Sequence, residues 1–208
     1  MSQNQQPKPS EPFIPAIEES SLLPEEKTAT QSIDIEPVQV QELTELADLA
    51  ARSFTDAFGD KMNPDDLEKS LADNRSVEYF TKSMNTSHIW VAKQDDKIVG
   101  YVQFGEVLIP EVDPQEADRE LGRLYIDTEL QGQGIGTKLM DAALAEPEMA
   151  AAPNIYLQVW DQNTKALPLY EKYGFERVGV THFMLGDNTP AQDLIMVRHK
   201  DVSEPELA

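Results

Sequence analysis

The stretch that decides the fold is Gln131-Gly132-Gln133-Gly134-Ile135-Gly136, which places three glycines within five residues. An extended run over residues 121–126 precedes it, and an apolar stripe with helical spacing follows it. Backbone amides in a glycine-rich turn can approach an anion closely, and the dipole of the following helix favours negative charge there. The turn therefore predicts a phosphate-binding site, with a plain strand-to-helix turn as the alternative interpretation.

Two common phosphate fingerprints each fail at one position of this turn. The dinucleotide-binding pattern needs a third glycine three residues after the second, and the nucleotide-triphosphate loop needs a glycine before Lys138. Thr137 occupies the required place in both cases. The pattern that fits is Gln-x-x-Gly-x-Gly, with Gln131, Gly134 and Gly136 at its named positions.

A second motif follows downstream as Asn163-x-x-Ala166-x-x-x-Tyr170-x-x-x-Gly174-Phe175. The spacing predicts a short helix over residues 163–173 with Asn163 and Tyr170 on one face, ended by a left-handed cap at Gly174. The Tyr170 hydroxyl can donate a proton. A buried tyrosine that only packs against a sheet is the alternative interpretation.

Together the two motifs resemble those of the GNAT superfamily of N-acetyltransferases, and the resemblance runs over about residues 33–200. It implies an α/β (α+β) fold: a mixed, mostly antiparallel central sheet of about six to seven strands, flanked by helices and splayed between its central parallel strands. It also implies acetyl-CoA as the co-substrate, with the pyrophosphate at the glycine turn.

The resemblance also assigns roles to individual residues. Tyr170 is expected to be the general acid, and a main-chain amide near residues 124–126 is expected to polarise the thioester carbonyl. The expected cofactor-binding residues are Leu124, Tyr125, Ile126, Gln131, Gly132, Gln133, Gly134, Ile135, Gly136, Thr137 and Asn163.

The general base is less clear from the sequence. Glu120 is the candidate, acting directly or through water, although a solvated surface acid is an equal alternative. His182 is another candidate. The branch that this chain resembles often has an acidic residue where Gly122 stands, and glycine cannot take up a proton. Gly122 can instead mark a bulge that re-aims the strand.

The acceptor class is inferred from the closing segment. Residues 182–187 and 192–196 resemble the end of bacterial spermidine/spermine N-acetyltransferases of the PaiA type, which implies a polyamine acceptor such as spermidine or spermine. The formal net charge of −21 would attract a polycation, although an acidic surface also serves solubility. A protein or peptide amine and a non-catalytic CoA-binding role are the alternatives.

Composition excludes several other classes. The chain has no cysteine, so disulfides, thiolate metal sites and cysteine nucleophiles are excluded, and its three histidines lack metal-ligand spacing. The negative charge argues against nucleic-acid partners. No apolar run approaches the roughly 20 residues of a membrane helix, so no membrane partner and a cytoplasmic location are expected. A homodimer is an assembly that the sequence permits.

Domain boundaries follow from composition. Residues 1–31 are rich in proline and polar residues and are predicted to be a disordered tail, residues 32–200 to form the N-acetyltransferase domain, and residues 201–208 to form an acidic tail. Within the domain, Pro37 predicts an edge strand over residues 33–40, and one helical region is expected within residues 64–83.

Overall fold

The computed structural model describes residues 32–185 and 189–200, and their side chains over residues 32–182 and 191–200. Both predicted tails lie outside the described residues, as do Gly186 and Asp187 of the closing motif. The described strands are β1 (Asp34–Pro37), β2 (Ser87–Gln94), β3 (Lys97–Gly105), β4 (Arg119–Ile126), β5 (Asn154–Trp160), β6 (Glu176–Leu185) and β7 (Thr189–His199). The helices are α1 (Leu43–Phe58), α2 (Pro64–Arg75), α3 (Val77–Ser83), α4 (Ile135–Ala145), α5 (Pro147–Ala151) and α6 (Leu167–Lys172).

The strands form one seven-stranded sheet in the order β1-β2-β3-β4-β5-β7-β6. Neighbouring strands are antiparallel except for the central pair β4 and β5, which run parallel. The predicted fold class is therefore confirmed, and β1 is the edge strand that Pro37 indicated.

The hairpin between β2 and β3 forms where the sequence places two adjacent aspartates. Asp95 and Asp96 both have positive φ, at 49° and 62°. A two-residue hairpin turn of this type needs left-handed backbone at both positions, which aspartate tolerates better than most side chains. The turn starts the pairing of β3 with β2, which continues to Ser87 and Gly105 with one register shift between Ala92 and Lys93.

Each face of the sheet has its own apolar cluster, because successive side chains of a strand point to opposite faces. On one face, Val102 and Phe104 of β3 pack with α4 and with Tyr170 of α6. On the other face, Tyr101 packs with α1 and with Phe80 of α3. The glycine turn at the start of α4 therefore serves one face, while α1 to α3 cover the opposite face.

The described helices differ in detail from the sequence analysis at three places. The region 64–83 contains two helices, because Ser76 is extended and its side chain accepts a hydrogen bond from the Tyr79 amide as the cap of α3. The helix α5 was not predicted. The predicted helix over residues 163–173 begins only at Leu167, with Pro168 in its first turn, where a missing amide hydrogen costs little.

The late start of α6 overturns the placement of Asn163 and Tyr170 on one helical face. Asn163 precedes the helix, and its side-chain oxygen accepts a hydrogen bond from the Ala166 amide at 3.1 Å. Asparagine readily makes this local bond, which competes with helix formation. The predicted left-handed cap is confirmed, since Gly174 has φ of 81°.

Within residues 32–185 and 189–200, no helix is both long and apolar enough to cross a bilayer. The same residues contain no group of three or more histidine, aspartate or glutamate side chains placed to hold a metal ion.

Candidate active site

The glycine turn begins α4 with its backbone amides exposed. Gly132 and Gly134 have φ of 83° and 82°, a left-handed conformation that other residues adopt at a cost. No side chain caps the helix at Gly134, so the amides of the first helical turn point into open space. Ile135 is buried in the core, so only its amide is available to a ligand. This arrangement suits a pyrophosphate.

Side-chain contacts hold the glycine turn in place. Lys165, in the segment before α6, donates from Nζ to Oε1 of Gln131 at 2.8 Å. The Tyr173 hydroxyl of α6 lies 3.2 Å from the Thr137 carbonyl and donates to Asp141 of α4 at 2.5 Å. Gln131 and Thr137, two positions predicted to bind the cofactor, are thus hydrogen-bonded to residues on either side of α6, the helix that carries Tyr170.

A gap opens between the two central parallel strands. β4 and β5 pair only at Arg119 with Ile155 and Glu120 with Tyr156. Beyond Glu120, β4 continues beside β3 alone, and β5 continues beside β7. The gap is the predicted splay, and it leaves one edge of β4 without a strand partner.

The orientation of the β4 amides follows from strand alternation. The Asp127 amide donates to the Val99 carbonyl of β3 at 2.8 Å. Because antiparallel strands alternate hydrogen-bonded and outward residues, the amides of Leu124 and Ile126 face the gap. The Leu124 and Ile126 side chains pack on the α4 side, whereas the Tyr125 side chain packs on the opposite face.

Tyr170 packs in the same cluster as Leu124 and Ile126 of β4 and is only 6% exposed. Its ring packs edge-on against Phe175 at 6.0 Å between ring centroids. Burial, and then the neighbouring Tyr125, raise the pKa of the Tyr170 hydroxyl, so the group stays protonated at neutral pH. No described residue forms a hydrogen bond with this hydroxyl, which leaves its proton available to a ligand.

Glu120 and Gly122 lie together at the start of the gap. Leu121 and Arg123 of β4 pair with the adjacent residues Phe104 and Gln103 of β3, so Gly122 is an extra residue in β4. Gly122 is therefore a bulge, which is one of the interpretations that the sequence allowed. A Cβ at Gly122 would lie 3.5 Å from Oε1 of Glu120. The Glu120 carboxylate therefore lies beside the position where the resembled branch often has an acid.

The surroundings of Glu120 set its protonation. Burial raises the pKa of its carboxyl, and the Leu108 amide, the charge of Arg123 and the Ile109 amide partly offset the rise. The Leu108 amide donates to Oε2 at 2.6 Å. The other candidate base, His182, is exposed on β6 opposite Gln192. Of these two, only Glu120 combines burial with a position on β4 beside the gap.

Comparison with known proteins identifies the family. A family model described as the acetyltransferase (GNAT) family matches residues 43–175, which span most of the sheet, the glycine turn, the gap and Tyr170. The chain belongs to the GNAT acetyltransferase family. It is therefore an acetyl-CoA-dependent N-acetyltransferase, as its two motifs predicted.

Individual relatives agree with this GNAT assignment. An uncharacterized N-acetyltransferase of Mycobacterium tuberculosis is 31% identical over 74% of the chain and 95% of its own length. The spermine/spermidine N(1)-acetyltransferase of Bacillus subtilis is 33% identical, but over only 41% of the chain and 57% of its own length. The crystal structure of PaiA N-acetyltransferase from Thermoplasma acidophilum in complex with coenzyme A has the same fold, with a TM-score of 0.65. It is 21% identical in sequence, and the similarity covers 81% of this chain and 99% of the PaiA chain.

The structure of this GNAT acetyltransferase also brings together residues that the sequence analysis missed. Arg75, at the end of α2, lies over the Phe54 ring at 3.4 Å, and Arg123 of β4 lies over the Tyr79 ring at 4.4 Å. Both occupy the face of β4 opposite α4. No local motif marks them, because they lie on separate elements that meet only in the folded chain, where Arg123 donates to the Asn74 carbonyl of α2.

A second missed cluster lies at the end of β5. Asp193 of β7 pairs with Trp160 of β5, and burial followed by the charge of Asp161 raises the pKa of the Asp193 carboxyl to about 6. Trp160 contacts the Phe58 ring at 5.5 Å between centroids, and Lys61 lies 4.9 Å above Trp160. The end of α1 and the residues after it thus contact the end of β5.

Proposed function

We propose that this GNAT enzyme acetylates a primary amine by direct attack, with Tyr170 as the general acid and Glu120 as the general base. The amine nitrogen forms a bond to the thioester carbonyl carbon and the carbon–sulfur bond breaks. Glu120, directly or through one water, takes the proton that the amine loses. Tyr170 gives its proton to the departing sulfur.

One observation carries this proposal: Tyr170 is buried in one cluster with Leu124 and Ile126 of β4, yet its hydroxyl has no described hydrogen-bond partner and is not among the fully enclosed polar atoms. A core tyrosine normally satisfies its hydroxyl within the protein. The Leu124 and Ile126 amides on the open edge of β4 would hold the developing negative charge of the carbonyl oxygen. The glycine turn with Asn163 would hold the rest of coenzyme A.

Two acceptor classes have specific support. A polyamine is supported by the spermine/spermidine relative and by the net charge of −21, which attracts polycations. An amine that also carries an anionic group is supported by Arg75 and Arg123 on the face of β4 opposite α4. A peptide amine, one of the alternatives from the sequence, can belong to this second class.

The proposed role of Tyr170 is tested by Tyr170→Phe. We expect kcat to fall about 10²- to 10⁴-fold, the usual contribution of a positioned proton donor, with little change in the Kd of CoA. The phenylalanine keeps the ring packing on Phe175, so the melting temperature should hold. Free thiol release with a panel of spermidine, spermine, lysine and short peptides measures kcat, and calorimetry measures Kd.

The matched control is Tyr173→Phe at the end of the same helix. Its hydroxyl bonds to Asp141 and Thr137 rather than facing the gap, so its removal should leave kcat within a few-fold. Equal turnover by wild-type enzyme and Tyr170→Phe would refute Tyr170 as the acid. A chain that releases no thiol with any amine would refute the proposed acetyl transfer.

A further inference from the structure

Two arginines lie on the face of the sheet opposite α4, and Nη1 of Arg123 donates to the carbonyl of Asn74, the residue before Arg75. Arg75 is only 9% exposed and Arg123 is half-buried. Burial, as the larger cause, and the nearby positive charge of Arg123 both lower the pKa of Arg75. Because like charges repel, holding two guanidinium groups together here costs free energy unless an anion joins them.

The described partners of both arginines are neutral. Nη1 of Arg75 donates to the Ser70 carbonyl at 3.3 Å and to the Ser70 hydroxyl at 3.2 Å, while its buried Nε has no partner. Nη1 of Arg123 donates to the Asn74 carbonyl at 2.6 Å. Neither lies within ion-pair distance of a carboxylate among residues 32–182 and 191–200, although the charge of Arg123 reaches Glu120, where it partly offsets the rise in pKa that burial causes.

Further unpaired polar atoms lie on the same part of the sheet. Tyr101 is fully buried, and its hydroxyl has no partner at full hydrogen-bond geometry, although Arg123 lies close enough to offset part of the rise that burial causes in the pKa of Tyr101. Gln103, opposite Arg123 in the β3–β4 pairing, has a buried side-chain oxygen without a partner. Unsatisfied buried polar atoms are costly, and the Tyr101 hydroxyl and Arg75 Nε are donors that an anionic oxygen can accept from.

Tyr125 connects this surface to the proposed reaction centre. Its ring stacks on Tyr101 with 5.6 Å between centroids. Its hydroxyl lies close enough to Arg75 to offset part of the lowering that burial causes in the pKa of Arg75, and close enough to Tyr170 to add to the rise that burial causes there. One side chain therefore lies within electrostatic reach of both the arginine pair and the expected acid.

We propose that the acetyl acceptor carries an anionic oxygen group, a carboxylate or a phosphate, that binds at Arg75 and Arg123 while its amine lies at the gap between β4 and β5. Guanidinium forks match the oxygen spacing of both groups. The inference rests on the proposed acetyl transfer and narrows its acceptor. It favours amino acids, acidic peptides or amino phosphates over a bare polyamine.

Matched acceptor pairs test the proposal on the full chain. Lysine is cadaverine with one added carboxylate, and O-phosphoethanolamine is ethanolamine with one added phosphate. We expect kcat/KM to be about 10- to 100-fold higher for the anionic member of at least one pair, the range for hydrogen bonds to charged groups. The pair that shows the preference distinguishes a carboxylate from a phosphate.

Arg123→Gln locates the preference. It should bring the anionic-to-neutral ratio of kcat/KM close to 1, mainly through KM of the anionic acceptor. This ratio does not depend on any effect of the substitution on Glu120, because Glu120 would be the general base for both members of a pair. The control Arg177→Gln removes an exposed arginine of β6 and should leave the ratio unchanged.

Two results would overturn the subsite. The first is wild-type enzyme that acetylates the neutral member of both pairs, or spermidine, at least as efficiently as the anionic member. The second is an anionic preference that survives Arg123→Gln. Absence of thiol release with every acceptor would instead remove the proposed acetyl transfer on which the inference rests.

Discussion

At the scale of single residues, the environment of Glu120 decides how it can act. Its carboxylate lies beside Gly122 and accepts a hydrogen bond from the Leu108 amide. Burial outweighs the favourable contacts with the amides and with Arg123, so the pKa of Glu120 is above its ordinary value. A raised pKa makes a carboxylate a stronger base as long as it remains deprotonated at the working pH.

The proposed base gives a pH prediction. Glu120 must be deprotonated to act, so kcat/KM should fall as pH falls through an apparent pKa above about 4.3, the ordinary value for glutamate. Glu120→Gln should lower the plateau of kcat/KM about 10²- to 10⁴-fold. It should also remove the part of the fall in kcat/KM at low pH that is caused by protonation of the Glu120 carboxyl. Thiol release from pH 4 to 9, about the span of these titrations, measures both effects.

The matched control is Glu106→Gln, which neutralises an exposed carboxylate in the loop that also carries Leu108. Its profile should coincide with that of wild-type enzyme. A Glu120→Gln variant with the wild-type profile would exclude Glu120 as the base and shift the role to water or the acceptor itself.

At the scale of elements, the close packing of α4 on β3 places the glycine turn beside the gap. A Cβ on Gly100 would lie 3.0 Å from the Tyr125 carbonyl and 3.2 Å from the Leu139 side chain. Gly136 likewise lies near Ile126 of β4 and Leu169 of α6. Small residues at these contacts let the helix approach the strands closely.

We expect Gly100→Ala to lower the free energy of unfolding by about 1–3 kcal/mol, because the added methyl group overpacks a filled contact. Gly122→Ala is the control, since its nearest neighbours would lie at 3.5 and 3.7 Å and its position is exposed. The control should change stability by less than about 0.5 kcal/mol. Urea denaturation followed by circular dichroism measures both, and equal effects would contradict the packing argument.

At the scale of the whole molecule, both apolar clusters are built from residues between Ile33 and Met196. The site elements β4, α4 and α6 all lie within this range. The assignment of residues 32–200 as the catalytic domain stays a prediction, as do the cytoplasmic location, the lack of nucleic-acid partners and the homodimer.

The domain prediction can be tested by removing residues 1–31 and 201–208. We expect the remaining chain to bind CoA with a Kd within about threefold of the full-length value, a difference below 1 kcal/mol. The reason is that the described core and the glycine turn are built from residues within 32–200. Calorimetry on both chains gives the Kd, and a loss of binding in a still-folded shorter chain would show that a tail contributes to the site.

The sequence by itself determined the glycine turn, the helix that follows it, the order of the strands along the chain and the family. These features depend on residues that are neighbours in the sequence. Positive φ at Gly132 and Gly134 and the apolar spacing of α4 are set by neighbours along the chain. The resemblance, rather than the residues alone, supplied the splayed sheet. At Asn163 this local reasoning failed. Its side chain accepts a hydrogen bond from the Ala166 amide, and the helix begins only at Leu167.

Only the tertiary structure decided which distant side chains meet. The position of Glu120 beside Gly122 depends on a bulge against β3, and the unpaired hydroxyl of Tyr170 depends on where β4 and β5 separate. Arg75 and Arg123 lie on different elements, α2 and β4, which are joined where Nη1 of Arg123 donates to the Asn74 carbonyl. Such contacts arise from the balance of burial and charge across the whole core, which no local pattern in the sequence encodes.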